Sequence, residues 1–150
     1  MKSTAPTLDE VIEHVRNRAY MSGVERDALR VKATGEVFTP TPLVLEILDQ
    51  IPDSVFADPT KTFCDPACGD GQFLGEVLIR KMQHSIAFET ALSTIYGVDI
   101  MSDNVDLCRQ RLLCGRTDLD QLIEHNIRCA DSLEFNYTAM QWSNDVMPGI

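Results

Sequence analysis

The fold of this chain is decided by the stretch Thr62-Phe63-Cys64-Asp65-Pro66-Ala67-Cys68-Gly69-Asp70-Gly71-Gln72-Phe73-Leu74. It begins as a short apolar strand ending in an acid, passes through a glycine-rich turn, and continues into the apolar face of a helix. A strand, a glycine turn and a helix in this order are typical of parallel α/β folds, in which the turn lets a ligand approach the backbone.

The alternation of strand and helix continues on both sides of this stretch. Further strands are predicted over residues 94–99 and 126–130, with helices between them. Apolar spacing predicts an N-terminal helix over residues 8–20, and a second one starts at Thr41 and stops before Pro52. Because strands separated by helices are joined by right-handed crossovers, we predict an α/β, doubly wound parallel sheet with N-terminal helices.

Each predicted strand ends in an acid, namely Asp65, Asp99 and Asp131. The carboxyl ends of parallel strands meet at one edge of a sheet, where ligands bind. An acid after the second strand can accept hydrogen bonds from both ribose hydroxyls, and one after the third can accept from the amino group of a base. A single acid of this kind usually caps a helix or lies in a solvated turn, but three in order predict a nucleoside pocket.

Composition excludes several classes of protein. The chain has 150 residues, enough for one domain, and a net charge of -10, which argues against gripping nucleic acid by bulk charge. Five cysteines without a Cys-x-x-Cys pair favour free thiols over a metal site or a disulfide framework. No apolar run reaches a membrane span and no signal core is present, so we predict a cytoplasmic protein that does not enter membranes.

The charge of the turn discriminates between two nucleoside ligands. A dinucleotide-binding turn reads Gly-x-Gly-x-x-Gly, whereas here the third glycine comes one position late, at Gly75. Asp65 stands just before the turn, where it would repel a pyrophosphate. A ligand with an ammonium and a sulfonium group would be attracted, which favours S-adenosylmethionine over NAD.

These residues resemble the bacterial and phage DNA adenine-N6 methyltransferases of restriction-modification systems. The segment Asp65–Leu74 closely matches that family's S-adenosylmethionine motif, and Phe38–Pro40, after Gly-Glu-Val, resembles its N-terminal motif. Tyr96–Ile100 resembles the ribose motif, and Ala130–Leu133 resembles the adenine motif. The resemblance covers roughly residues 34–135 and implies a Rossmann-like class I methyltransferase fold, with S-adenosylmethionine as cofactor.

The resemblance implies a role for individual residues. Phe38 and Thr39 would close over the methionine part of the cofactor, and Asp65 with the turn would line its backbone. Asp99 would hold the ribose, while Asp131 would accept from the adenine amino group. The implied cofactor-binding set is Phe38, Thr39, Pro40, Asp65, Ala67, Cys68, Gly69, Gly71, Phe73, Asp99, Ile100, Asp131 and Ser132.

The two apolar members Ile100 and Phe73 are expected to make different contacts. Ile100 would pack on the adenine ring. Phe73 would form either the pocket wall or part of the core, and the core is favoured because apolar residues at helical spacing usually face it.

The family's catalytic motif, Asn (or Asp)-Pro-Pro followed by an aromatic residue, is absent from the sequence, so no catalytic residue is assigned. That motif would hold a flipped-out adenine for in-line attack on the methyl group. We therefore expect a sheet truncated after the third or fourth strand. Three interpretations stay open: the cofactor part of an adenine methyltransferase that works with a partner chain or through an unusual tail, an inactive cofactor-binding or interaction module, and an RNA or small-molecule methyltransferase.

The expected organisation is a single domain with a helical extension (1–33), a cofactor-binding core (34–135) and a tail (136–150). An open sheet edge would invite a second copy or a partner subunit. DNA would be bound through a partner chain or through a weak basic patch, although a solvated helix face is the commoner explanation of such charges. The patch consists of Arg16, Arg18, Arg26, Arg30 and Lys32.

Overall fold

A computed structural model describes residues 4–17 and 39–138 of the chain. The predicted cofactor residue Phe38 therefore lies outside the described residues, as do most of the basic patch and residues 139–150 of the expected tail. The elements, in chain order, are α1 (Leu8–Asn17), α2 (Thr41–Leu48), α3 (Asp53–Ala57), β1 (Phe63–Asp65), α4 (Gln72–Gln83), α5 (Phe88–Ser93), β2 (Ile95–Asp99), α6 (Ser102–Leu113), α7 (Asp120–Asn126) and β3 (Ile127–Cys129).

The three described strands form a parallel sheet in the order β1-β2-β3, which confirms the predicted α/β class. Asp65 is in register with Gly97, and Asp99 is in register with Cys129. These strands follow chain order, so the reversal of a doubly wound sheet is not among the described strands. The strand β3 is shorter than predicted and leaves Asp131 two residues beyond its end.

Helix α4 lies at the centre of the core. It contacts β1 and β2 on one side and α1, α2 and α6 on others. Leu74, Val77 and Leu78 on this helix are almost completely buried. Gly71 precedes the helix with a φ of 95°, a left-handed conformation that favours glycine. The glycine turn is thus fixed to the most buried helix of the described fold.

A buried ion pair lies beneath the turn. Asp70 and Arg111 are each about 1% exposed, and Arg111 Nη2 is 3.7 Å from Asp70 Oδ2. The other carboxylate oxygen of Asp70 has no hydrogen-bond partner among the described residues. Val15 of α1 and the stem of Arg111 pack so closely on α4 that a Cβ at Gly75 would lie 2.7 Å from Val15 Cγ1 and 3.2 Å from Arg111 Cδ. The absence of a side chain at Gly75 therefore serves helix packing.

The second face of the sheet is covered by the chain that follows β3. Tyr96 and Val98 are buried there against Ala130, Phe135 and Tyr137. The Tyr137 hydroxyl donates a hydrogen bond to the Ser132 carbonyl at 2.9 Å, which closes the segment into a loop. This loop begins at the same sheet edge as the acids.

None of the helices within residues 4–17 and 39–138 is both long enough and apolar enough to cross a membrane.

Candidate functional site

A cavity of about 610 Å³ lies at the carboxyl ends of β1 and β2, within the size range of small-molecule sites. Its wall is formed by the ends of both strands, the glycine turn, the first two turns of α4, the first turn of α6 and the last residue of α2. The lining residues are Thr39, Leu48, Phe63, Cys64, Asp65, Ala67, Cys68, Gly69, Gln72, Phe73, Leu74, Val77, Asp99, Ile100, Met101 and Asn104.

The glycine turn is held tightly against β2. The Cys68 amide donates to the Val98 carbonyl at 2.9 Å, and Gly69 has a left-handed φ of 54°. A Cβ at Gly97 would lie 3.0 Å from the Cβ of Cys68, so glycine at this strand position permits the close approach. Backbone groups of the turn thereby border the cavity directly.

Asp99 connects the turn to the sheet. Its Oδ2 accepts a hydrogen bond from the Gly69 amide at 3.0 Å, and its Oδ1 accepts from the Met101 amide at 2.8 Å. A third, longer bond of 3.4 Å comes from the side-chain nitrogen of Asn104 to Oδ1. The carboxylate is therefore held in a fixed orientation before any ligand arrives.

Asp65 is half-buried at the end of β1, where its Oδ1 accepts from the Ala67 amide at 3.0 Å. Burial raises the pKa of this carboxyl, and the negative charge of Asp99 raises it further, while the Ala67 hydrogen bond acts in the opposite direction. Two carboxylates thus border one cavity, and a positive ligand group between them would relieve their repulsion.

The thiol of Cys68 faces its counterpart on α6. A hydrogen bond with Cys108 is the main cause that raises the pKa of Cys68, and burial adds to it. A thiol with a raised pKa stays protonated and is a poor nucleophile. Cys68 therefore contributes a neutral wall to the cavity.

Most of the predicted cofactor-binding residues that the structure describes lie together at the cavity. Phe73, which was expected in either the pocket wall or the core, takes part in both: it lines the cavity and also packs against the core. Eight of the predicted residues form lining: Thr39, Asp65, Ala67, Cys68, Gly69, Phe73, Asp99 and Ile100. The described lining leaves out Pro40, Gly71, Asp131 and Ser132.

Asp131 occupies the expected edge of the sheet but not the cavity wall. The amide of Ala130 donates to the Asp99 carbonyl at 3.0 Å, so the chain leaves β3 next to the end of β2. The Asp131 side chain is exposed, and its Oδ1 accepts from the Leu133 amide at 2.9 Å, as in a local turn. Its role toward an adenine ring stays a prediction.

Three polar or flexible lining residues were missed by sequence reasoning, namely Gln72, Met101 and Asn104. Gln72 is 6% exposed, and its amide nitrogen has no hydrogen-bond partner among the described residues. A signal was available for two of them: Met101 and Asn104 follow Asp99 by two and five residues, where the chain turns from strand to helix at the predicted ligand edge.

One member of the predicted basic patch is described. Arg16 makes a bidentate ion pair with the buried Glu76, with distances of 3.1 and 2.8 Å. The hydrogen bonds with Glu76 raise the pKa of Arg16 and outweigh the effect of burial, which lowers it. Its guanidinium is engaged in fixing α1 to α4. The other four residues, Arg18, Arg26, Arg30 and Lys32, lie outside the described residues, so the patch stays a prediction.

Comparison with known proteins supplies the family. A profile of the N-6 DNA Methylase family matches residues 24–147. The chain is also similar to the Type II methyltransferase M.VspI of Vibrio sp. (strain 343), with 32% identity over 109 residues, which are 71% of this chain and 22% of that protein. The chain thus spans about a fifth of this relative's length. No solved structure matches the chain. The matched region is most of the chain and contains the parallel sheet, the glycine turn and the cavity. The chain therefore belongs to the N-6 DNA methylase family.

Proposed function

We propose that the chain binds S-adenosylmethionine in this cavity, as the cofactor-binding part of a methyltransferase that modifies the N6 atom of adenine in DNA. The observation that carries the proposal is the pair of carboxylates, Asp65 and Asp99, at the carboxyl ends of adjacent parallel strands around one cavity. Family membership supports it, because methyltransferases of this family use this cofactor.

The residues of the cavity fit the chemical groups of this ligand. Asp65 would bind the ammonium group of the methionine part, and Asp99 would accept from the ribose. The first backbone amides of α4, which lack partners within the helix, would donate toward the methionine carboxylate. The side-chain amide of Gln72 would donate to the same group. Ile100, which is 65% exposed at the cavity, would cover one face of the adenine ring.

The chain's own residues would bind and orient, whereas the bound cofactor supplies an electrophilic methyl group. Orientation matters because in-line transfer needs the reacting atoms held in a near-attack geometry. Asp65 is anchored by the Ala67 amide, and Asp99 by the amide of Gly69 in the turn and by the amide of Met101 just before α6. They would fix the cofactor with little rearrangement of the protein.

A second candidate is a cofactor-binding module without transfer chemistry of its own. The 150 residues contain no Asn-Pro-Pro-aromatic segment to hold a flipped adenine, so we expect these residues by themselves to bind the cofactor without transferring its methyl group. In this case the 150-residue chain binds the cofactor equally well but transfers no methyl group without a partner.

Calorimetric titration of the purified chain with S-adenosylmethionine is expected to show one site with an affinity in the micromolar range. Titration with NAD serves as the control and should give no heat, because Asp65 would repel its pyrophosphate. A chain that binds NAD but not S-adenosylmethionine would contradict the proposal. Incorporation of a tritiated methyl group into duplex DNA, with the chain alone, then separates the two candidates.

The affinity for S-adenosylmethionine should depend on pH through Asp65. Its raised pKa means that the carboxyl keeps its proton to a higher pH than an ordinary aspartate does. The ammonium group of the ligand pairs with the ionised form. Affinity should therefore rise as the pH increases through this raised pKa and level off above it, which calorimetry across acidic to neutral pH measures.

Asp65→Asn is the matched variant for this pH dependence. It keeps the shape and the acceptor for the Ala67 amide but cannot ionise. Affinity in the variant should be lower at neutral pH and flat with pH. A variant that keeps the slope of the wild-type chain would assign the titration to another group.

A further inference from the structure

The carboxylate of Asp99 has few acceptor positions left. An ionised carboxylate offers about four lone-pair positions, two on each oxygen. Met101 and Asn104 donate to Oδ1, and Gly69 donates to Oδ2. The described contacts therefore leave one position, on Oδ2, for a ligand. Two ribose hydroxyls cannot both bind this carboxylate on equal terms.

Asn104 is the one of these three donors that acts through its side chain. It lies in the first turn of α6, is 1% exposed, and lines the cavity. The amides of Gly69 and Met101 already fix the rotation of the carboxylate, with one donor on each oxygen, and the Asn104 side chain fills the second acceptor position of Oδ1. The amides of Gly69 and Met101 belong to the backbone and remain under any substitution except proline, so Asn104 is the donor that an ordinary side-chain substitution removes.

We propose that Asn104 is a positioning residue, which holds Asp99 Oδ1 so that Oδ2 accepts one ribose hydroxyl of an adenosyl ligand in preference to the other. The inference rests on the proposed function, since it assumes that an adenosyl group occupies the cavity. Without the Asn104 amide, a position on Oδ1 becomes free, and either hydroxyl can reach the carboxylate. The residue thus determines how the ribose is oriented.

The test compares S-adenosylhomocysteine with its 2′-deoxy and 3′-deoxy analogues by calorimetry on the full chain. In the wild-type protein, removal of one hydroxyl should weaken binding about 10-fold or more, as for a hydrogen bond to a charged group, and removal of the other by no more than about threefold. In Asn104→Ala, the ratio between these two penalties should shrink at least about threefold, as expected for coupled groups.

Two further variants serve as controls for this comparison. Asn104→Leu removes the donor while it keeps most of the side-chain volume, in case the alanine variant folds poorly. Asp106→Ala, an exposed change on the same helix, should leave the ratio of penalties unchanged. A merely structural role for Asn104 would weaken all three ligands equally and leave the ratio intact.

The possible failures are distinguishable. Equal penalties for the two hydroxyls in the wild-type chain, or an unchanged ratio in both Asn104 variants, would overturn this inference and leave the proposed function standing. A wild-type chain that does not bind S-adenosylhomocysteine would overturn the proposed function and the inference together.

Discussion

Asp99→Ala should weaken S-adenosylmethionine binding by about 100-fold or more. The substitution removes the acceptor that a ribose hydroxyl would use, and it also releases the amides of Gly69 and Met101. A charge-assisted hydrogen bond contributes about 1.5–3 kcal/mol, and an amide left without a partner adds a similar desolvation cost. The glycine turn would therefore lose its anchor at the same time as the ligand loses a contact. Calorimetry measures the change directly.

The matched controls separate the two contributions. Asp99→Asn keeps the shape and one oxygen acceptor, so it should lose less affinity than the alanine variant. Asp120→Ala changes an exposed acid on α7 and should bind as the wild type does. Thermal melts without ligand show whether the alanine variant is folded. A folded Asp99→Ala variant with wild-type affinity would refute the ribose assignment.

Arg111→Met should lower the free energy of unfolding by about 3–5 kcal/mol. The substitution keeps an apolar stem beneath the glycine turn but leaves the carboxylate of Asp70 buried without its cation. A buried charge that loses its partner costs several kcal/mol, because the surroundings cannot solvate it. Since whole domains are stable by only about 5–15 kcal/mol, urea unfolding should detect the loss easily.

A double variant tests the cause of this loss. Arg111→Met combined with Asp70→Asn removes both charges, and the stability should return most of the way to that of the wild type. The distance of 3.7 Å between the charged groups is long for an ion pair, which makes such a recovery more complete. A double variant as unstable as Arg111→Met alone would mean that lost packing of the arginine stem, and not the unpaired charge, causes the effect.

The elements of the fold were predictable because their signals are local. The apolar strand before Asp65, the glycine turn and the apolar face of α4 lie within one short stretch, and the structure has a strand, a turn and a helix there. Strand ends were less certain, since β3 stops at Cys129 although an apolar residue follows. Where a strand stops depends on its neighbour's hydrogen bonds, which no local pattern contains.

The predicted basic patch shows that a local count of charges can miss an ion pair with a distant residue. From the sequence, Arg16 is one of five positive charges in a short region. Its partner, Glu76, is 60 residues away, and the pair forms because α1 packs on α4. Charge counting cannot detect such a pair, because Glu76 becomes a neighbour only after the helices dock.

The sequence by itself determined the parallel α/β class, the glycine turn and the acids that follow the strands, because each depends on residues that are adjacent along the chain. Only the tertiary structure decided which groups share the cavity. It brought Gly69 and Asn104 to the carboxylate of Asp99, and it left Asp131 outside the described lining. The physical reason is that hydrogen-bond partners across a sheet are set by strand register and helix packing, which arise only when distant segments bury their apolar faces together.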